Sequence, residues 1–249
     1  KRSKKKRMIA SLFRTTTRKV VGGVTIVGAG YQAYHTLTTP IRQEHVVIVG
    51  GGTAGVGMAS MLKNAGVRNI TVIEPKTTHY YQPLWSLVGG GVKKVEQSAR
   101  PMQSILPAKA KWIPKRVESF SPEKNQVTTE DGSDVDYDYL IVASGLQIDW
   151  DKIPGALEGL EKENSGVVSI YDYRFAEKTS RVFEEFQKKM QQASRPFNFV
   201  FTMAPMPIKC AGAPQKVMWL MEDILRKTGL RDKANFAFWT PGGGMFGVK

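Results

Sequence analysis

The residues best suited to chemistry fall in two places. Gly50-Gly51-Gly52-Thr53-Ala54-Gly55 is a complete G-x-G-x-x-G, and Glu74 stands 24 residues after Gly50. That pattern holds a pyrophosphate. Gly50 permits the tight turn, Gly52 admits the phosphate to the backbone, and Gly55 lets a helix approach a strand closely. The helix so opened presents free amides and its positive dipole end to the anion. Glu74 accepts hydrogen bonds from an adenosine ribose, and an acid there favours FAD or NAD over NADP. The second place is Cys210, the one cysteine of the chain. It follows Lys209 and precedes Pro214, which suits a first helical turn. A neighbouring cation and a helix start favour the thiolate, and the thiolate is the nucleophile. Without such a context a single Cys is more often a small buried hydrophobe.

Both places need elements to position them. Val46-Val47-Ile48-Val49 is a β-branched run of the kind buried on both faces of a parallel sheet. Beyond the glycines, Met58, Met61, Leu62 and Ala65 predict one apolar helix face, ended by Gly66. Ile70 to Ile73 predicts a second strand with Glu74 at its end. Residues 111–113 and 115–120 read as strands, and Thr128 to Ser133 as a hairpin turn. Tyr137 to Gly145 reads as a strand ending in the small-residue loop Ala143-Ser144-Gly145. Phe175, Val182, Phe183, Phe186 and Met190 set one face of a helix over 172–193. Phe197 to Met203 predicts another strand, and Met218, Trp219, Met221, Ile224 and Leu225 carry the helix after Pro214, with Gly229 past its end. His79 to Gly91, rich in aromatics and ending in a glycine run, predicts an apolar loop that lines something. A second G-x-G-x-x-A at Gly28 to Ala33 has no clean strand before it and Thr and Pro after it, and is read as coincidence.

Composition narrows the class. With 249 residues, 41% hydrophobic and 23% charged, the chain is neither coiled coil, collagen-like nor wholly disordered. One Cys excludes an internal disulfide framework, and three scattered His show no metal-ligand spacing. No apolar run reaches the roughly 20 residues of a membrane span. The net charge of +14 is concentrated at one end. Residues 1–43 hold ten of the 36 Lys/Arg and no acid, which leaves only +4 on the rest. The body is therefore not a nucleic-acid-binding surface.

Two longer segments go beyond composition. His79-Tyr80-Tyr81-Gln82-Pro83-Leu84-Trp85-Ser86-Leu87-Val88-Gly89 and Pro207-Ile208-Lys209-Cys210-Ala211-Gly212-Ala213-Pro214 resemble segments of the mitochondrial-type sulfide:quinone oxidoreductases. Tyr137 to Gly145 resembles the strand that closes over FAD in two-dinucleotide-domain flavoproteins, which adds Ser144 and Gly145 to the cofactor residues. The resemblance covers 44–249. It implies an α/β fold with a Rossmann-like FAD-binding domain over 44–160 and a truncated second dinucleotide-binding-like domain over 161–249. It implies FAD contacts at Thr53, Ala54, Glu74, Gln82 and Val117, beside Gly50, Gly52 and Gly55. Cys210 is implied to carry a persulfide as hydrogen sulfide is oxidised. Electrons then pass through FAD to ubiquinone, and glutathione, sulfite or sulfide accepts the sulfur.

The resemblance also implies peripheral attachment to the mitochondrial inner membrane through C-terminal amphipathic helices. Those helices, a Gly-Asp flavin motif and a second redox cysteine have no counterpart before Lys249. The sequence is accordingly expected to be the N-terminal portion of a longer enzyme. A non-catalytic flavoprotein-like subunit and a type II NADH dehydrogenase-like enzyme are the alternatives. Against the latter, Ala204-Pro205-Met206-Pro207 after the 197–203 strand offers no glycine nest for a second pyrophosphate.

Residues 1–43 form a basic tail. Residues 8–19 are rich in Arg, Ser and Thr with interleaved apolar residues, the composition of a mitochondrial transit segment, with a basic surface tail as the alternative. Fused to a soluble reporter, residues 8–43 should send it to mitochondria, and replacing Arg14, Arg18 and Lys19 with Glu should abolish import. A reporter that stays cytosolic or enters the nucleus supports the basic tail instead.

Overall fold

A computed structural model describes residues 42–205 and 208–245. The basic tail up to residue 41, the Gly28 to Ala33 motif and Pro207 of the cysteine segment lie outside the described residues.

The described residues begin with strand β1 (Arg42–Val49), helix α1 (Thr53–Asn64) and strand β2 (Val67–Ile73). Shorter pieces follow: β3 (Thr78–Tyr80), α2 (Trp85–Gly89), β4 (Ala99–Pro101) and α3 (Met102–Ile105). Next come β5 (Lys111–Ile113), β6 (Val117–Ser121), β7 (Gln126–Thr129), β8 (Asp134–Asp136) and β9 (Tyr139–Val142). The last elements are α4 (Ala156–Glu161), α5 (Tyr173–Gln192), β10 (Phe197–Thr202), α6 (Ala213–Lys227) and β11 (Ala234–Trp239). They form two compact units that interleave along the sequence. The first holds the described residues up to Thr77 together with Met102–Gly145, and the second holds Thr78–Pro101 and the residues from Leu146 onward. A single cut at 160 therefore does not describe them.

The first unit is built on a parallel sheet of order β5-β2-β1-β9. Successive side chains of a strand point to opposite faces, and both faces are covered. Val46, Ile48, Ile70 and Val72 pack with Ala59 of α1 and with Met102 and Leu106. Val47 and Ile73 pack instead with Val127 and Tyr137, on the side of the antiparallel β6-β7-β8 sheet. This explains why β1 reads as an unbroken apolar run. The buried face of α1 differs from the expected one. Gly55 and Ala59 are buried, Val56 and Leu62 pack against the core, and Met58 and Met61 are exposed. The face turned to the sheet is centred on Gly55, Ala59 and Leu62, and the 3.6-residue repeat carries Met58 to its flank and Met61 to the opposite side.

The second unit packs α5 and α6 around β10 and β11, which pair in parallel. Phe183 and Met190 of α5, with Val217, Met221 and Leu225 of α6, form its core. Phe197, Phe199, Phe201 and Phe236 pack against that core, their rings edge to face. Phe175 and Val182 complete the buried face of α5 as expected, whereas Trp219 of α6 turns outward. Gly229, at φ +70°, ends α6, with the Leu230 amide bonded back to the Leu225 carbonyl at 2.8 Å. That is the left-handed glycine stop. Lys178 is buried on α5, and its Nζ donates to the carbonyls of Gly159, Leu160 and Lys162 at 3.0, 2.8 and 2.7 Å. It thereby caps the C-terminal end of α4, although burial pushes its ammonium pKa down.

A methyl at Gly55 would overlap the Gly50 carbonyl oxygen, whereas one at Gly57, on the same helix, meets open space. Gly55→Ala should cost about 3 kcal/mol of unfolding free energy by overpacking, and Gly57→Ala should add roughly 0.5–1 kcal/mol by removing backbone freedom. Denaturant titration of the two variants checks the pair.

Candidate functional site

The glycine loop sits at the C-terminal edge of the parallel sheet, where ligands of open α/β folds bind. Gly50 adopts φ +106°, a left-handed conformation, and its amide donates to the Ile73 carbonyl at 2.9 Å. A side chain at Gly50 would run into the Ala143 carbonyl. That neighbour comes from the end of β9, where the Ala143 amide donates to the Val49 carbonyl at 2.7 Å. Gly52 caps α1 in an extended conformation without a side-chain cap, and no acid lies in the first turn. A Cβ at Gly52 would meet nothing within 4 Å. The first amides of a helix lack intrahelical partners, so those at the start of α1 face open space beside Gly52. Thr53 and Ala54 are exposed there. The arrangement is an anion cradle with room for a phosphate, closed to anything larger than glycine at 50 and 55.

Glu74 completes the cradle. Its Oε2 accepts the Gly51 amide and its Oε1 the Lys76 amide, both at 2.8 Å. The main chain of Glu74 is also held: its amide donates a hydrogen bond to the Ile113 carbonyl at 3.0 Å, and its carbonyl accepts one from the Trp112 indole at 2.9 Å. Sequence reasoning read Trp112 only as part of a strand. The signal was its place on β5 opposite Val72, two residues before Glu74.

Of the expected cofactor residues, the structure gathers Gly50, Gly52, Thr53, Ala54, Gly55 and Glu74, with Ser144 adjoining Gly50 through its backbone. Ser144 and Gly145 are exposed just beyond β9. Val117 begins β6 and packs, half-buried, with the Val47 cluster. Gln82 and Cys210 belong to the second unit.

In that unit, residues 79–91 are not a loop. They form β3, a 3-10 turn over Gln82–Leu84, and α2, with Trp85, Ser86, Val88 and Gly89 buried. A Cβ at Gly89 would lie 2.5 Å from Ile170 Cγ2, and one at Gly90 2.6 Å from Leu220 Cδ1. The glycine run is therefore demanded by close packing of a helix end, not by a lining role. Tyr80 stacks on Tyr173 at 4.1 Å between ring centres, next to Trp85. Gln82 and Pro83 remain exposed.

Cys210 is exposed and adopts φ +90°, a conformation that costs a non-glycine residue energy. A short turn holds it: its amide donates to the Ile208 carbonyl at 3.1 Å, and its carbonyl accepts the Ala213 amide at 2.7 Å. Ala213 opens α6, with Pro214 in its first turn as expected. The Tyr171 hydroxyl approaches the Cys210 carbonyl at 3.5 Å. Burial, and secondarily the Cys210 thiol, push the Tyr171 phenol up to about 12. The thiol is thus presented to solvent from a strained turn at a helix start.

The pyridine nucleotide-disulphide oxidoreductase family matches residues 44–183. The chain belongs to that family. It is 44% identical over 209 residues to the mitochondrial sulfide:quinone oxidoreductase of Dictyostelium discoideum, covering 82% of this chain and 44% of that protein. The mouse (Mus musculus) mitochondrial sulfide:quinone oxidoreductase is 40% identical over 224 residues, covering 89% and 48%. Among solved structures, the sulfide:quinone oxidoreductase of Aquifex aeolicus superposes with a TM-score of 0.61 at 27% identity, covering 79% of this chain and 43% of that one. The chain spans about half the length of the curated relatives it matches.

Gly52 separates ligand binding from folding. Gly52→Val should lower the flavin content of the purified full-length protein severalfold. It should shift flavin-free stability by no more than about 1 kcal/mol, the scale of a cap change. Unchanged flavin content contradicts the assignment of the cradle.

Proposed function

We propose that this chain is the N-terminal portion of a mitochondrial sulfide:quinone oxidoreductase, with FAD in the glycine cradle and Cys210 as its sulfur carrier. The exposed, turn-held thiol of Cys210 ahead of α6 carries the reading. The family is one of FAD-binding flavoproteins, and the room beside Gly52 and the acceptor at Glu74 support the same cofactor. Bound FAD would supply a two-electron acceptor able to hand electrons to ubiquinone.

The work of the chain's own residues follows from their chemistry. The first amides of α1 bind the pyrophosphate, Glu74 the ribose, and Thr53, Ala54, Gln82, Val117, Ser144 and Gly145 add contacts to FAD. Hydrosulfide attacks a disulfide between Cys210 and a second thiol. The S–S bond breaks, Cys210 gains the sulfane sulfur as a persulfide, and the second thiol leaves with the electron pair. Because the chain has one cysteine, that second thiol comes from outside these 249 residues. A small nucleophile such as glutathione, sulfite or sulfide then takes the outer sulfur and frees the Cys210 thiolate. Peripheral attachment to the inner membrane belongs to the same proposal.

The test uses the full-length protein. Cys210→Ser should retain flavin, because main-chain bonds hold the turn, yet abolish sulfide-dependent quinone reduction, because oxygen cannot carry sulfane sulfur. NADH should leave the flavin oxidised. Undiminished sulfide turnover in the variant, or rapid reduction by NADH, overturns the proposal.

A further inference from the structure

Glu74 is fixed from four directions, and three of the four partners are main-chain groups, two amides and one carbonyl, that any sequence would supply. The Ile113 carbonyl takes its amide at 3.0 Å, while Gly51 and Lys76 each donate to one carboxylate oxygen at 2.8 Å. The fourth partner is a side chain. Trp112 Nε1 donates to the Glu74 carbonyl at 2.9 Å. An ionised carboxylate offers about four acceptor sites over its two oxygens, so each oxygen of Glu74 keeps an acceptor after its backbone bond. Two acceptors side by side match two neighbouring hydroxyls on one sugar.

That alignment also depends on the main chain of Glu74, which lies just past the end of β2. The β2–β5 pairing ends at Ile73 and Ile113, and only the Glu74 amide extends it. Trp112 closes this gap. Its ring packs, half-buried, against the Val46–Ile48 core, and its N–H reaches the carbonyl one residue beyond the strand. The indole thereby links the rigid core of the sheet to the residue that carries the carboxylate. Phe in its place would keep most of the packing and lose the bond.

We infer that Trp112 is a positioning residue for ribose recognition: acting through Glu74, it holds the carboxylate in register for the 2′,3′-diol of the adenosine half of the dinucleotide. The inference rests on the proposed FAD occupancy of the cradle. Its test asks for discrimination between two ligands, which a purely structural role would not alter.

Full-length protein stripped of flavin is titrated with FAD and with the FAD analogue lacking the adenosine 2′-hydroxyl. Wild type should prefer FAD by about tenfold, the value of one hydrogen bond to a charged group. Trp112→Phe should reduce that preference to about twofold. Glu74→Gln should reduce it similarly, and adding Trp112→Phe to Glu74→Gln should change it no further. Equal weakening of both ligands in Trp112→Phe, or an unchanged preference, overturns the inference and leaves the FAD reading standing. Wild type that binds neither ligand overturns the FAD reading and the inference with it.

Discussion

The backbone contact between Gly55 and the Gly50 carbonyl governs the first unit. No side chain fits there, so α1 lies directly on the strand-to-helix turn and starts at Gly52. Three consequences follow. The face of α1 turned to the sheet carries the small residues Gly55 and Ala59 at its centre. The first amides of α1 lie beside the open space at Gly52, the place proposed for the phosphate, with no need of a charged side chain. Gly51 comes within reach of Glu74, which couples the glycine loop to the proposed ribose acceptor through one hydrogen bond. A single steric constraint thus sets both halves of the cradle.

The second unit obeys a similar rule with different parts. Gly89 and Gly90 let α2 end hard against Ile170 and Leu220. Aromatic rings from β10 and β11 fill the space under α5 and α6. The turn before α6 then presents Cys210 outward, in a conformation that costs energy. Strain of this kind persists where the surroundings over-determine it, and here two backbone bonds and the half-buried Tyr171 adjoin it. The Cys210 sulfur is thus placed by a hydrogen-bonded turn at the start of α6.

Much of this was legible in the sequence. The β-branched run of β1, the glycine pattern and the acid at 74 report a parallel sheet and its phosphate turn directly, because each residue type answers a local backbone demand. Pro214 and Gly229 likewise mark the two ends of α6. Other features depend on tertiary distance and left no local trace. Met58 and Met61 look like part of a helix face until the contact of Gly55 with the turn shows which side of α1 is buried. Residues 79–91 look like a loop because their glycines serve helix packing, which only the partner side chains reveal. Trp112 looks like any strand aromatic, since its bond to Glu74 joins neighbouring strands across 38 residues.

The central claim is that the amides around Gly52 and the carboxylate of Glu74 form one dinucleotide site. Hydrogen–deuterium exchange of the full-length protein, with flavin bound and after flavin removal, tests it most directly. Protection on flavin binding should be largest over residues 50–56 and around Glu74, where the donors of the cradle become covered. Protection concentrated elsewhere, with the glycine loop exchanging equally fast in both states, would contradict the account.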